Sequence, residues 1–147
     1  MNKQYKYSIL LFFLWVQVVA SQAKKPSDSP NILFVFSDDH AWQSIGAYGG
    51  RLKEVAHTPH IDKLASEGML FRKCFVANAL CGPSRAAVLT GKYGHRNGVT
   101  WNRNTNFDGS QQTFPKMLRK NGYQTAIIGK WHLASVPTGF DYFDVMK

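Results

Sequence analysis

The stretch Asn31-Ile32-Leu33-Phe34-Val35-Phe36 is apolar from its second residue onward and runs directly into Ser37-Asp38-Asp39-His40. Because its apolar residues do not alternate with polar ones, the stretch is typical of a strand buried on both faces, as in a parallel sheet. Two later segments, residues 69–76 and Tyr123-Gln124-Thr125-Ala126-Ile127-Ile128, have a similar strand-like character. The sequence therefore predicts three strands of a mostly parallel central sheet.

Helix signals lie between these predicted strands. Two segments open on a threonine closely followed by a proline and close on a glycine, which is the order that helix caps favour. The predicted helices run from residue 58 to 68, from 82 to 90 and from 113 to about 122. Strands that alternate with helices indicate an α/β fold in which helices sandwich the sheet. Residues 91–109 predict a loop, in which Asn102 and Arg103 are suited to substrate contact.

The first 23 residues have the layout of a secretory signal peptide. Two lysines precede an apolar run from Ile9 to Ala20, and small residues follow up to Ala23. The run is shorter than the roughly 20 apolar residues that span a bilayer, so a signal anchor is the less favoured alternative. We expect an exported, periplasmic or secreted protein with no stable membrane span, a linker over residues 24–30 and a domain over residues 31–147.

The charge balance is strongly basic, with 18 Lys and Arg against 9 Asp and Glu among 147 residues. A positive surface favours anionic partners. The basic residues are scattered, without a long run or interleaved aromatic side chains, so the pattern argues against nucleic-acid binding. An anionic small molecule or polysaccharide fits better.

Reactive side chains follow each predicted strand. Asp38 and Asp39 come after the first, Cys81 after the second, and Lys130 and His132 after the third. Ligands of open α/β sheets bind beyond the carboxyl ends of the strands. We therefore expect these three segments to form the walls of one site.

The adjacent carboxylates of Asp38 and Asp39 are a candidate metal site. Their mutual repulsion is relieved by a divalent cation, and carboxylate oxygens suit Ca²⁺. Two aspartates do not fill the 6 to 8 ligand positions that Ca²⁺ takes. An exposed acidic turn is the alternative reading of the pair.

Cys81-Gly82-Pro83-Ser84-Arg85 is the strongest chemical signal. It lies at a predicted helix start, where free backbone N–H groups favour an anion, and Arg85 follows Cys81 by four residues, on the same helix face. A cysteine phosphatase loop needs an arginine six positions after its cysteine. Position 87 of this chain is Ala87, so the segment does not fit such a loop. A disulfide between Cys74 and Cys81 and a buried structural cysteine are the remaining alternatives.

This pentapeptide closely resembles the sulfatase signature cysteine-x-proline-serine-arginine. Gly129-Lys130-Trp131-His132-Leu133 resembles the second signature of that family, which usually ends in glycine where this chain has Ala134. Residues 30–143 together resemble the N-terminal part of a formylglycine-dependent sulfatase, which implies an alkaline-phosphatase-like fold. Because such sulfatases are several times longer, we expect a truncated chain.

The resemblance implies a nucleophile and a metal. It implies that a formylglycine-generating or sulfatase-maturating enzyme oxidises Cys81 to formylglycine, which then attacks the sulfate ester and also touches the metal. Asp38 and Asp39 are implied to ligate Ca²⁺, or Mg²⁺ in its place. Arg85 is implied to stabilise the formylglycine.

The resemblance also implies the groups that meet the substrate. Lys130 and His132 are implied to contact the sulfate and the hydrated formylglycine. Lys92 and His95 fall within the extended first signature and are expected near the substrate, although the lysine has the alternative role of supporting the loop.

The function implied is the hydrolysis of sulfate esters, with sulfated glycans favoured over other sulfate esters. Two alternatives stay open. One is a phosphonate or phosphodiester hydrolase of the same superfamily, and the other is a non-catalytic fragment. The isolated chain is expected to be inactive, because the family's remaining metal ligands lie further along the sequence.

Overall fold

A computed structural model describes residues 29–103 and 105–146 of the chain. The predicted signal peptide and most of the predicted linker lie outside the described residues. The chain divides into two compact units, residues 1–36 and residues 37–147. No helix in the described ranges is long and apolar enough to cross a membrane.

The described part of the first unit contains no strand. Residues 31–36 have no regular secondary structure, and their side chains are exposed, with Leu33 at 89%. The rings of Phe34 and Phe36 lie 6.2 Å apart. The predicted strand over residues 31–36 is therefore wrong, because a strand requires a hydrogen-bonded neighbour, which apolar composition does not itself provide.

The second predicted strand, over residues 69–76, is also wrong. This segment forms bends and irregular structure, and its apolar side chains are exposed, with Met69 at 74% and Phe75 at 88%. Its central Arg72 and Lys73 interrupt the apolar pattern. The segment leads from the first helix to the helix that begins at Cys81.

The second unit contains four helices and two strands among the described residues, with two short 3-10 helices before them. The helices are α1 (Pro59–Glu67), α2 (Cys81–Thr90), α3 (Gly94–Asn97) and α4 (Phe114–Lys120), the strands are β1 (Ala126–Lys130) and β2 (Tyr142–Met146), and the 3-10 helices are Trp42–Ser44 and Gly46–Tyr48. All three predicted helices are confirmed. The short helix α3 lies inside the predicted loop.

The two strands β1 and β2 form a parallel pair, in register from Ala126 opposite Tyr142 to Lys130 opposite Met146. The third predicted strand is confirmed as β1, although it begins three residues later than predicted. Strand β2 was not predicted from the sequence. The predicted α/β class with parallel pairing is confirmed, within a two-stranded sheet in the described ranges.

The core packs α2 against the chain around β1. Its buried side chains are Ala86, Leu89, Val99, Phe107, Trp131 and Leu133, with Ile127, Phe140 and Val145 packed beside them. Trp131 and Leu133 are buried, whereas Lys130 is exposed and His132 is half-buried. Burial of every second residue after β1 therefore fixes the backbone that carries Lys130 and His132.

Candidate active site

Cys81 is the first residue of α2. The preceding Leu80 is extended, with φ −122° and ψ 146°, and Pro83 occupies the first turn, where its missing N–H is not needed. Ser84 closes this turn, because its N–H donates to the carbonyl of Leu80 at 2.9 Å and its hydroxyl donates to the carbonyl of Cys81 at 3.0 Å. The side chain of Cys81 is partly exposed as a free thiol.

Three side chains from distant parts of the chain meet at this helix start. The thiol of Cys81 donates to Asp38 Oδ1 at 3.3 Å. Lys130 Nζ donates to Asp38 Oδ2 and lies 3.7 Å from Cys81 Sγ. The structure therefore brings together one residue from each of the three segments predicted to wall the site.

Arg85 joins this group from the next turn of α2. Its Nη1 donates to the carbonyl of Lys130 at 2.6 Å, and its Nη2 lies 3.7 Å from Asp38 Oδ1. The arginine side chain is only 11% exposed. The guanidinium therefore fixes the end of β1 to α2 and contributes a second positive charge, as its spacing from Cys81 predicted.

The charges of the group reinforce one another. The Lys130 ammonium, and after it the Cys81 thiol, hold the pKa of the Asp38 carboxyl below its usual range. The same carboxylate raises the pKa of Lys130. Both groups are therefore charged at neutral pH, and two cations, Lys130 and Arg85, face one carboxylate. Two cationic side chains beside the start of a helix suit an anionic ligand.

Asp39 and His132 flank the group in unusual backbone conformations. Their φ angles are 53° and 51°, in the left-handed region that few residues other than glycine adopt. Such strain is common at functional sites. The Nδ1 atom of His132 is buried, and no hydrogen-bond partner for it occurs among the described residues.

The residues present fit part of a metal shell and a hydrated aldehyde. Asp38 and Asp39 provide hard oxygen donors of the kind that Ca²⁺ and Mg²⁺ prefer. Across residues 29–103 and 105–146, no group of three or more His, Cys, Asp or Glu side chains is placed to hold a metal ion. Around residue 81, a carboxylate acceptor and an ammonium donor are suited to the two hydroxyl groups of a hydrated aldehyde.

Lys92 and His95 lie beyond the other end of α2. Lys92 follows Cys81 by eleven positions, and the ten-residue helix Cys81–Thr90 that leads to it is about 15 Å long at 1.5 Å per residue. Lys92 Nζ donates to Gln111 Oε1 at 3.3 Å, and His95 stacks on Tyr93. The structure does not bring these two residues to the group around Cys81, and the contact of Lys92 matches a role in supporting the loop.

Asn102 has a contact that sequence reasoning missed. Its Oδ1 accepts a hydrogen bond from the backbone N–H of Gly82 at 2.9 Å, so this oxygen faces α2. The sequence contained an indirect signal, because Leu80 precedes the helix and has no side-chain oxygen with which to cap it.

Comparison with known proteins identifies the arrangement. The sulfatase family model matches residues 30–144. An N-acetylglucosamine-6-O-sulfatase of Bacteroides thetaiotaomicron is 51% identical over 128 residues, which cover 87% of this chain and 22% of the relative. The human N-acetylgalactosamine-6-sulfatase is 42% identical over 130 residues, covering 80% of this chain and 24% of that protein.

Solved structures agree with the sequence relatives. A structure described as a complex with its substrate D-glucosamine-2-N,6-O-disulfate shares 54% sequence identity and a TM-score of 0.73 over 78% of this chain and 22% of the other. The chain thus spans about a fifth of the length of the relatives it matches. The predicted alkaline-phosphatase-like α/β fold is confirmed by these neighbours, and the chain belongs to the sulfatase family.

Proposed function

We propose that this chain supplies the nucleophile-bearing part of a sulfatase that hydrolyses sulfate esters of sulfated glycans. The relatives named above act on sulfated amino sugars according to their names, and one solved relative holds a sulfated glucosamine. The observation that carries the proposal is the convergence of Asp38, Cys81, Arg85 and Lys130 at the start of α2.

Residue 81 is the nucleophile position of the proposed reaction. A maturating enzyme oxidises the Cys81 thiol to formylglycine, and Ser84 and Pro83 hold the helix turn that presents it. When present, hydrated formylglycine would supply one hydroxyl for attack on sulfur, with the alcohol of the ester leaving, and a second hydroxyl whose collapse to the aldehyde would release the sulfate. The carboxylate of Asp38, which accepts from Cys81 Sγ, is placed to orient the side chain at this position.

The cationic side chains bind and orient the sulfate ester. Lys130 presents its ammonium beside residue 81, where it neutralises the sulfate oxygens as negative charge builds on the leaving oxygen. Arg85 contacts both Asp38 and the carbonyl of Lys130, which keeps these two groups in fixed positions relative to each other. His132, two residues after Lys130, is the proposed contact to the substrate or the nucleophile, and its buried Nδ1 has no hydrogen-bond partner among the described residues.

Asp38 and Asp39 are the proposed protein ligands of a divalent metal, together with residue 81. Bound Ca²⁺ or Mg²⁺ supplies Lewis-acid stabilisation of the sulfate oxygens. The two aspartates provide fewer oxygen atoms than such an ion takes, so other ligands complete the shell in the active enzyme.

We also propose that the protein is exported to the periplasm or secreted. The support is the signal-peptide layout of residues 1–23, which combines basic, apolar and small-residue regions in the order that export requires. Export also places the enzyme in the compartment where sulfated polysaccharides occur. Detection of the mature protein in the periplasmic or culture fraction, beginning after Ala20 or Ala23, tests this location.

Mass spectrometry of the peptide that contains Cys81 tests the proposed nucleophile. The chain is co-expressed with a maturating enzyme, and the expected product carries an aldehyde in place of the thiol. Cys81→Ala and Cys74→Ser serve as paired controls, of which only the first should abolish the modified peptide. An unmodified Cys81 thiol, or a disulfide between the two cysteines, contradicts the proposal.

The isolated chain is expected to release no sulfate from sulfated glucosamine, because its described residues offer only part of a metal shell. Sulfate release is measured with and without added Ca²⁺, beside a phosphodiester substrate. Metal-dependent release of sulfate by the purified chain contradicts the expectation, and faster phosphodiester hydrolysis favours the alternative hydrolase activity.

A further inference from the structure

We propose that Asn102 is a positioning residue for the nucleophile, acting as the side-chain cap of α2 from a distant loop. The proposal rests on the proposed function insofar as residue 81 is the nucleophile position. Its physical basis is separate, because it concerns only how the first turn of α2 is held.

The first turn of α2 needs a hydrogen-bond acceptor from outside the helix. The preceding residue, Leu80, makes no side-chain cap, and Pro83 has no N–H. Ser84 N–H is satisfied by the carbonyl of Leu80. The N–H of Gly82, next to the nucleophile position, instead donates to Asn102 Oδ1 at 2.9 Å. A side chain twenty residues away therefore does what an N-cap residue usually does.

Other segments of the chain pack closely around Gly82 at this contact. A Cβ atom at Gly82 would lie 2.7 Å from Thr105 Cγ2 and 3.3 Å from the carbonyl oxygen of His132. The buried backbone of Gly82 is thus enclosed by the segment that carries Asn102 and Thr105 on one side and by the segment after β1 on the other. Any larger side chain at position 82 would collide with Thr105, which explains the glycine between Cys81 and Pro83.

The segment that carries Asn102 is itself hydrogen-bonded to the rest of the chain at Thr100 and at Thr105. Asn78 Nδ2, which lies before α2, donates to the carbonyl of Thr100 at 3.2 Å. Ala134 N–H, which lies after β1, donates to the carbonyl of Thr105 at 2.9 Å. Because this segment is hydrogen-bonded both before α2 and after β1, the position of Asn102 depends on both of those parts of the chain, and Asn102 in turn holds the start of α2. Asn102 therefore sets the distance of residue 81 from Lys130 and Asp38.

The test uses the reactivity of the Cys81 thiol in the unmodified chain, with Cys74→Ser as the background so that Cys81 is the sole cysteine. Alkylation is measured at a pH where the thiol is fully ionised, so that the rate reports access to the sulfur. Asn102→Ala should raise the rate by up to about five-fold, the factor by which losing a typical cap favours local opening of the first turn. Asn102→Asp keeps an acceptor oxygen and should restore the parent rate.

Asn121→Ala is the matched control, because Asn121 bonds to Met117 at the exposed end of α4. It should leave the alkylation rate unchanged. Equal rates for Asn102→Ala and Asn102→Asp, or no change in either, overturn the proposal. Thermal unfolding of each variant separates a local opening from a loss of global stability.

Hydrogen exchange of the Gly82 amide keeps the proposal testable if Asn102→Ala does not fold. The amide should exchange slowly in the parent chain and in Asn102→Asp, and faster in the milder variant Asn102→Ser. An unprotected Gly82 amide in the folded parent overturns the cap. Neither measurement uses sulfate hydrolysis, so failure of the cap and failure of the proposed sulfatase activity are distinguishable.

Discussion

At the scale of single residues, the site depends on how one carboxylate is shared. Asp38 accepts from Cys81 and Lys130 and lies beside Arg85, so this aspartate connects the thiol to both cations of the site. The carboxylate keeps the lysine protonated, and the lysine keeps the carboxylate ionised. A protonated lysine is what binding of a sulfate oxygen requires.

The raised pKa of Lys130 predicts weak reactivity toward amine reagents, which attack only the uncharged amine. In competitive acetylation at neutral pH, Lys130 should react several-fold more slowly than the exposed Lys120 of α4. Asp38→Asn removes the carboxylate and should raise the labelling of Lys130, measured by peptide mass spectrometry. Asp108→Asn is the control, because that carboxylate accepts from Ser110 instead. Unchanged labelling in Asp38→Asn contradicts the ion pair.

At the scale of elements, the two strands are joined at their starts by a polar contact. Asp141 Oδ2 accepts from the N–H of Thr125 at 2.8 Å, and Asp141 Oδ1 lies 2.8 Å from Arg119 of α4. Thr125 directly precedes β1, and Asp141 directly precedes β2. The contact therefore sets the register that ends at Lys130.

This contact predicts a pH-dependent stability. The Thr125 N–H, with help from Arg119, holds the pKa of Asp141 below its usual range. A carboxyl whose pKa is lowered by folding stabilises the fold above its unfolded-state pKa, and this stabilisation is lost as the pH falls through the folded-state pKa. Asp141→Asn should lower the Tm at neutral pH, and the difference from the parent should shrink on acidification. A difference that does not depend on pH excludes the ionised carboxylate as its cause.

Trp131 anchors the segment between Lys130 and His132. It is 3% exposed, its Nε1 donates to the carbonyl of Ser135 at 2.7 Å, and its ring meets Phe140 edge-on at 6.3 Å. Trp131→Ala should lower the free energy of unfolding by about 3–5 kcal/mol, as large core truncations do. Trp131→Phe keeps most of the apolar area and should cost less. Urea unfolding measures the free energy of unfolding of both variants. Equal losses in the two would contradict packing of the Trp131 ring as the main source of its stabilising effect.

At the scale of the whole molecule, the described residues cover the sheet on one face only. The alternation along β1 turns Ile127 toward the core, whereas Ile128 is 74% exposed. In β2, Tyr142 and Met146 are 58% and 67% exposed. By register these exposed side chains share one face with Lys130. Parallel sheets are normally covered on both faces.

The open sheet face predicts that the isolated chain binds hydrophobic dyes and self-associates. Binding of anilinonaphthalene sulfonate should enhance the dye's fluorescence, and gel filtration should show larger species as concentration rises. Ile128→Lys should weaken both effects. Val55→Lys, which changes a residue that is 73% exposed outside the sheet, should weaken them less. A monomer that does not enhance the dye's fluorescence contradicts the prediction.

Local sequence by itself determined the helices and the spacing of the nucleophile and arginine. Prolines in the first turn act locally, so the starts of α1, α2 and α4 were predicted from neighbouring residues to within one residue. The expected threonine caps were wrong, because Thr58 and Thr113 make no side-chain cap hydrogen bond. The position of Arg85 one turn after Cys81 follows from the helical period. The family signatures likewise are contiguous in sequence, which is why they identified the sulfatase family without any knowledge of tertiary contacts.

Tertiary structure alone decided which apolar runs became strands and which polar residues met. A strand depends on a partner distant in the chain, so the run at residues 31–36 did not become one, whereas β2 did. The ion pair between Asp38 and Lys130 spans 92 residues, and the contact of Asn102 with Gly82 spans 20. Local propensity encodes neither contact, because each joins residues that are distant in the sequence and meet only once the core that contains Leu89, Trp131 and Leu133 has packed.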